Sequence, residues 1–191
     1  MSGLVGLVAA AWQSASAQFV EPVAFTLYWL AVGVLALTVG CGEIVWHYVV
    51  HASHTERRRS RCVVSQFLPS LVAGLVITVA LVRVDAALAG VLPGLWAILF
   101  GVGVFAARPY LPTASALVAC YYWAAGILLV WRADSLASLS PWTVGGTFGL
   151  GQLVAAVVLY VSLERVPRAV GADARVSDSE EDAGWDHESQ G

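Results

Sequence analysis

The sequence predicts an all-α fold, a polytopic helical membrane bundle of five transmembrane helices, with a sixth if the N-terminal segment also crosses. Three observations predict it. The 191 residues are 59% hydrophobic and only 12% charged, with a mean hydropathy of +0.76, far from the balance of a water-soluble domain. Five stretches free of interior charge approach or exceed the roughly 20 apolar residues needed to cross about 30 Å of hydrocarbon. The links between them are short, so sequential stretches are expected to run up and down as neighbours.

Taken in order, residues 1–20 form an N-terminal segment. Gly3 to Trp12 is apolar, but Gln13, Ser14, Ser16 and Gln18 interrupt it. An interfacial or partly inserted helix is the first expectation and a sixth span the second. A cleaved signal peptide fits less well because no positive charge precedes the apolar stretch, although Ala15-Ser16-Ala17 before Gln18 resembles a cleavage site. Residues 21–168 form the transmembrane bundle. Its runs are Val23 to Gly42, Gln66 to Val82, Ala86 to Ala107, Thr113 to Trp131 and Trp142 to Leu163. Ser140-Pro141 reads as a helix cap followed by proline at the first helical position, and Glu21-Pro22 and Leu111-Pro112 are similar. Asp85 is placed to cap the third run, in which Pro93 predicts a kink or a later helix start.

All ten basic residues are arginines, and they are unevenly distributed. In the five-run arrangement, Arg57, Arg58, Arg59, Arg61, Arg108, Arg165, Arg168 and Arg175 fall on one side. Arg83 and Arg132 fall on the other, each two residues from an acid, Asp85 and Asp134. The excess of positive charge in cytoplasmic loops then predicts a protein of the cell membrane with a cytoplasmic arginine-rich loop and C terminus. Arg57, Arg58, Arg59 and Arg61 are expected to meet lipid headgroups. Trp131 and Trp142 are expected at the outer interface, with Tyr110 and Tyr160 near the inner one. Residues 169–191 are an acidic cytoplasmic tail with almost no aliphatic residues, expected to be disordered.

An internal repeat is legible. Pro93 precedes Phe100-Gly101-Val102-Gly103 by seven residues, and Pro141 precedes Phe148-Gly149-Leu150-Gly151 by the same interval. Arg83-Val84-Asp85 resembles Arg132-Ala133-Asp134. The pattern predicts a duplicated two-helix hairpin, with repeats at about 66–107 and 113–156 in the same orientation. Gly40-Cys41-Gly42 in the first run extends the idea to three hairpins. Helix packing is the expected role of Gly40, Gly42, Gly101, Gly103, Gly145, Gly149 and Gly151, because small residues let backbones approach where lipid provides no hydrophobic drive. The Gly-x-Gly pairs lie within apolar spans, so they do not read as nucleotide loops.

One constellation carries possible metal chemistry. If the helix continues beyond the first run, Glu43, His47, His51 and His54 share a sector about 80° wide at ~100° per residue. Two imidazoles one turn apart can ligate a divalent metal such as zinc, iron, copper or nickel, and a haem ligand is a related option. Four side chains spread over about three turns cannot all reach one ion. The competing expectation is an interfacial helix extension beside the arginines, with imidazoles that titrate near neutrality. Glu43 and Gln152, each just beyond a Gly-x-Gly pair, form a candidate internal polar site. Cys41, Cys62 and Cys120 do not suggest a disulfide framework.

No hydrolytic triad or carboxylate pair emerges, so the chain leans away from catalysis. Nucleic acid is not an expected partner, because the arginines are explained by topology. The leading expectation is a non-enzymatic regulatory or assembly subunit that binds the lipid bilayer and a membrane or cytoplasmic protein, itself or another. A metal- or haem-handling protein using the Glu43/His47/His51/His54 face, and a small transporter built from repeated hairpins, are the alternatives.

Overall fold

The computed structural model describes residues 2–16, 21–51, 54–133 and 139–161. All regular secondary structure among them is helical. In order come α1 (Ser2–Ser16), α2 (Pro22–His51), α3 (His54–Val84), a 3-10 segment (Ala86–Val91), α4 (Leu92–Ala106), a short 3-10 turn (Arg108–Tyr110), α5 (Ser115–Trp131) and α6 (Pro141–Val161). Four stretches are long and apolar enough to cross a membrane: Pro22–Gly40, Arg61–Val84, Leu88–Ala106 and Pro141–Val161. With 17 residues, α5 is shorter. The acidic tail, Arg165, Arg168, Arg175 and Asp134 lie outside the described residues.

The segment expected as an arginine-rich loop is helical. α3 begins at His54 and carries Arg57, Arg58, Arg59 and Arg61 in its opening turns. Nothing between His54 and Gln66 breaks a helix, since neither Gly nor Pro occurs there. α2 likewise continues nine residues beyond Gly42, to His51. With 30 and 31 residues, α2 and α3 each rise about 45 Å, some 15 Å more than the hydrocarbon requires.

Pro93 does not kink a helix. It lies in the first turn of α4, where its missing N–H would have had no partner, and the residues before it form the 3-10 segment instead. Pro69, by contrast, is inside α3.

α1 is not an isolated surface helix. Ala10 and Gln13 are buried, and Tyr28 on α2 donates its hydroxyl to the Ala9 carbonyl at 2.9 Å. The fifteen residues of α1 rise only about 22 Å, so it packs in the bundle without the length of a full span.

The helices alternate in direction. Contacts Phe67–Gly103 and Thr78–Trp96 set α3 against α4, while Gly94–Gly126 and Gly101–Ala119 set α4 against α5. α6 runs parallel to α4: Phe100 stacks edge-on with Phe148 at 5.5 Å, and Trp96 and Val144 join one apolar cluster a turn away. α1 runs antiparallel to α6, Gly6 and Ala10 facing Gly145 while Gly3 faces Gln152. One end of the bundle therefore carries the exposed Trp12, Trp131 and Trp142 with Arg83 and Arg132. The other carries Arg61, Arg108 and Tyr160. Arg108 lies 5.8 Å from the centre of the Phe105 ring, a cation held against an aromatic face at a helix end.

Two apolar clusters make the core. Ala10, Phe25, Trp29 and Val144 join α1, α2 and α6 near the tryptophan end. Ala97, Val118 and Tyr122 join α4 and α5, with Phe148 bridging to the first cluster. Among the described residues, the buried threonine hydroxyls are satisfied locally, as apolar surroundings favour. Thr26 donates to the Pro22 carbonyl at 2.8 Å and Thr78 to the Gly74 carbonyl at 2.7 Å.

Candidate functional site

Glycine determines how closely the helices approach. A β-carbon at Gly101 would lie 2.6 Å from Trp123 Cδ1 and 3.1 Å from the Ala119 carbonyl oxygen, so α4 and α5 touch backbone to ring. At Gly149 it would lie 2.6 Å from Leu7 of α1, and at Gly145 2.6 Å from the Gly6 carbonyl oxygen. The second glycine of each pair accepts an aromatic ring from the preceding helix: Gly103 faces Phe67 of α3, and Gly151 faces Tyr122 of α5.

Two further glycines, Gly94 and Gly126, meet each other across α4 and α5. A β-carbon on either would lie 2.7 Å from the other's carbonyl oxygen. Neither belongs to a Gly-x-Gly motif, and only their spacing on two antiparallel helices reveals their role.

The first Gly-x-Gly pair has a different setting. A β-carbon at Gly33, Gly40 or Gly42 would meet none of the described residues within 4 Å. Up to Val32, α2 is packed: Phe25 and Trp29 are buried and Val32 lies against the same cluster. Just beyond Gly33 three apolar side chains are exposed, Val34 at 64% with Leu35 and Leu37. α2 and α3 scarcely touch among the described residues. Among the described residues, Gly40 and Gly42 therefore bring no helices together.

The helical register of α2 joins this open surface to the polar residues beyond it. At ~100° per residue, positions 33, 36, 40, 43, 47 and 51 fall within a sector about 80° wide. They are Gly33, Ala36, Gly40, Glu43, His47 and His51. His54 is not part of this helix; it opens α3. The side chains of Glu43, His47, His51 and His54, and those of Arg57, Arg58 and Arg59, lie outside the described residues; Arg61 is exposed. Groups of three or more His, Cys, Asp or Glu able to hold a metal are absent among the described residues.

Gln152 is directed into the bundle, with its Cβ 2.8 Å from where a β-carbon on Gly3 would be. It also hydrogen-bonds the Tyr122 hydroxyl, which donates to the Phe148 carbonyl at 3.4 Å. Tyr121 donates to the Thr147 carbonyl at 3.0 Å. The pair of tyrosines thus ties α5 to α6, and Gln152 serves that junction. Trp96 similarly ties α4 to α3, donating Nε1–H to Thr78 Oγ1 at 2.8 Å. The sequence gives no motif for these aromatic ties, because each joins two residues far apart in the chain.

No family model matches the chain, and neither the curated proteins nor the solved structures include one that matches it.

Proposed function

We propose that this chain is a non-enzymatic assembly or regulatory subunit of the cell membrane, and that a helix of a different membrane protein packs along the open face of α2. The carrying observation is the contrast among the three Gly-x-Gly pairs. Gly101 is filled by α5 and Gly149 by α1, whereas Gly40 meets none of the described residues. Glycine inside a helix costs roughly 0.5–1 kcal/mol relative to alanine, and lipid offers no return for that cost. A close-packed partner does.

The arrangement agrees with three repeated hairpins, α1–α2, α3–α4 and α5–α6. The second helix of the middle hairpin packs its glycine against the first helix of the last, and the last packs against the first. Phe100 and Phe148, equivalent in the repeat, stack on one another. The remaining contact, from α2 to α3, is the one left open for a partner.

The partner is expected to differ from this chain. Two copies related by a two-fold axis along the membrane normal would place Glu43 opposite Glu43, and like charges at one level repel. A helix with small residues in its span and a cation or donor at its end is complementary to the sector from Gly33 to His51. In this reading the arginine-bearing start of α3 and the C terminus are cytoplasmic, Arg57 to Arg61 meet anionic headgroups, and the tryptophan end faces outward.

Mild detergent extraction of the tagged full-length chain tests the proposal. A partner should co-purify with the wild type and with a Leu150→Val control, and be lost from a Gly33→Leu/Gly40→Leu variant that still reaches the membrane. Equal recovery from all three, or no partner with the wild type, contradicts it.

A further inference from the structure

At the arginine end of the bundle, one cation is held against the helices rather than extended from them. Arg108 follows the last turn of α4, and its guanidinium lies 5.8 Å from the centre of the Phe105 ring, which precedes it in the chain. The Phe105 ring in turn lies 5.4 Å from that of Trp123 on α5, and Gly101 lets the Trp123 ring approach the α4 backbone. The charge is thus turned back toward the apolar part of the α4–α5 pair, onto a ring that is itself exposed. An arginine reaching only for water would extend away from the hydrocarbon instead.

The described part of the chain brings no anion to this cation. Between Asp85 and Asp134 the sequence has no acidic residue, and those two each lie two residues from another arginine, Arg83 and Arg132. Among the described side chains the carboxylates are Glu21, just before α2, and Asp85, just after α3, both at the tryptophan end. A cation beside hydrocarbon is costly without a counter-charge.

Below Arg108 the seam between α4 and α5 is apolar. At ~100° per residue, Phe105 and Val102 share one edge of α4, and Trp123 and Ile127 share one edge of α5. The Phe105–Trp123 contact puts the two edges side by side, and Val102, Phe105 and Ile127 are all exposed. A cation at the end of an exposed apolar seam matches a phospholipid, whose phosphate sits at the interface with its acyl chains beneath. Phosphatidylcholine brings its own cation, so a headgroup of net negative charge is the better complement.

We propose that Arg108 and the α4–α5 seam bind one anionic phospholipid, its phosphate on the guanidinium and an acyl chain along Phe105, Val102 and Ile127. The site is separate from the open face of α2 and from Arg57 to Arg61. Native mass spectrometry of the delipidated full-length protein tests it, with phosphatidylglycerol and phosphatidylcholine of the same acyl chains added in equal amounts. The wild type should retain one phosphatidylglycerol in about fivefold preference, the scale of one arginine at an anionic surface. Arg108→Gln should bring the two lipids to parity, while Arg61→Gln keeps the preference. Phe105→Leu retains the charge but removes the ring that holds it, and should weaken the preference. Equal retention of both lipids by the wild type, or a preference that survives Arg108→Gln, overturns the proposal. So do equal losses in Arg108→Gln and Arg61→Gln, which would mark a diffuse basic surface, and displacement of the lipid by inorganic phosphate, which would mark a site for a free anion.

Discussion

At Gly126 and Gly94, each helix presents its backbone carbonyl to the space that the other's side chain would occupy. Backbone cannot move aside as a flexible side chain can, so Gly126→Leu is expected to destabilise the bundle by about 3 kcal/mol, the upper part of the range for overpacking. Gly33→Ala meets open space and should instead stabilise the isolated chain by about 0.5–1 kcal/mol through helix propensity. Denaturant unfolding in one detergent compares the two directly; equal effects would show that the packing differs from that described. The Trp96–Thr78 bond gives a smaller effect. Trp96→Phe removes the N–H donor and should cost about 0.6 kcal/mol for the bond, as for other hydrogen bonds between membrane helices, plus the loss from the smaller ring. Thr78→Val on the Trp96→Phe background should then add less than it does alone, the non-additivity of residues in contact.

At the scale of elements, the apolar runs were legible because hydrocarbon imposes a length on any segment that crosses it. Their ends were less legible. The run rule stops at charge, whereas a helix stops only where its backbone is broken, so α2 and α3 continue through Glu43 and Arg57 to Arg61. Pro93 was recognisable as a boundary, and its place in the first turn of α4 follows from its missing N–H. α1 was the least legible element. Gln13 and Ser14 look like interruptions to a span, but Ser14 returns its hydroxyl to the Ala10 carbonyl at 2.8 Å, and the small residues Gly3, Gly6 and Ala10 form its packing face. The Gly-x-Gly motif signalled close approach at Gly101 and Gly149, but it carried no information on what fills each site. That depends on neighbours distant in sequence. The histidine-bearing register of α2 was readable as helical period; the separation of His54 onto α3 was not, since no breaker marks residues 52–53. If α1 serves to cover the glycine face of α6, Leu7→Ala should loosen that contact and lower stability by about 2–5 kcal/mol, as for other large-to-small changes at packed sites. Hydrogen exchange should rise in α6 around Gly149 and remain unchanged in α4 around Gly94; a uniform rise would indicate general unfolding instead.

For the molecule as a whole, the orientation proposed from the arginine distribution is one that a single thiol can check. Cys62 lies beside Arg61 at the arginine end. With Cys41 and Cys120 replaced by alanine, a membrane-impermeant maleimide should label Cys62 only after the cytoplasmic face is opened. Labelling in intact cells would reverse the assignment. The central claim is that the bundle is complete on two sides and open along α2. A photo-crosslinking residue at Leu37, which shares the flank of Gly33 and Gly40, tests it most directly when compared with one at Leu150 on α6; both leucines are exposed. On irradiation in native membranes, the account predicts one discrete protein adduct from position 37, abolished by Gly40→Leu, and only lipid adducts from position 150. Lipid adducts alone from both positions, or an adduct from position 37 that persists in Gly40→Leu, would contradict it.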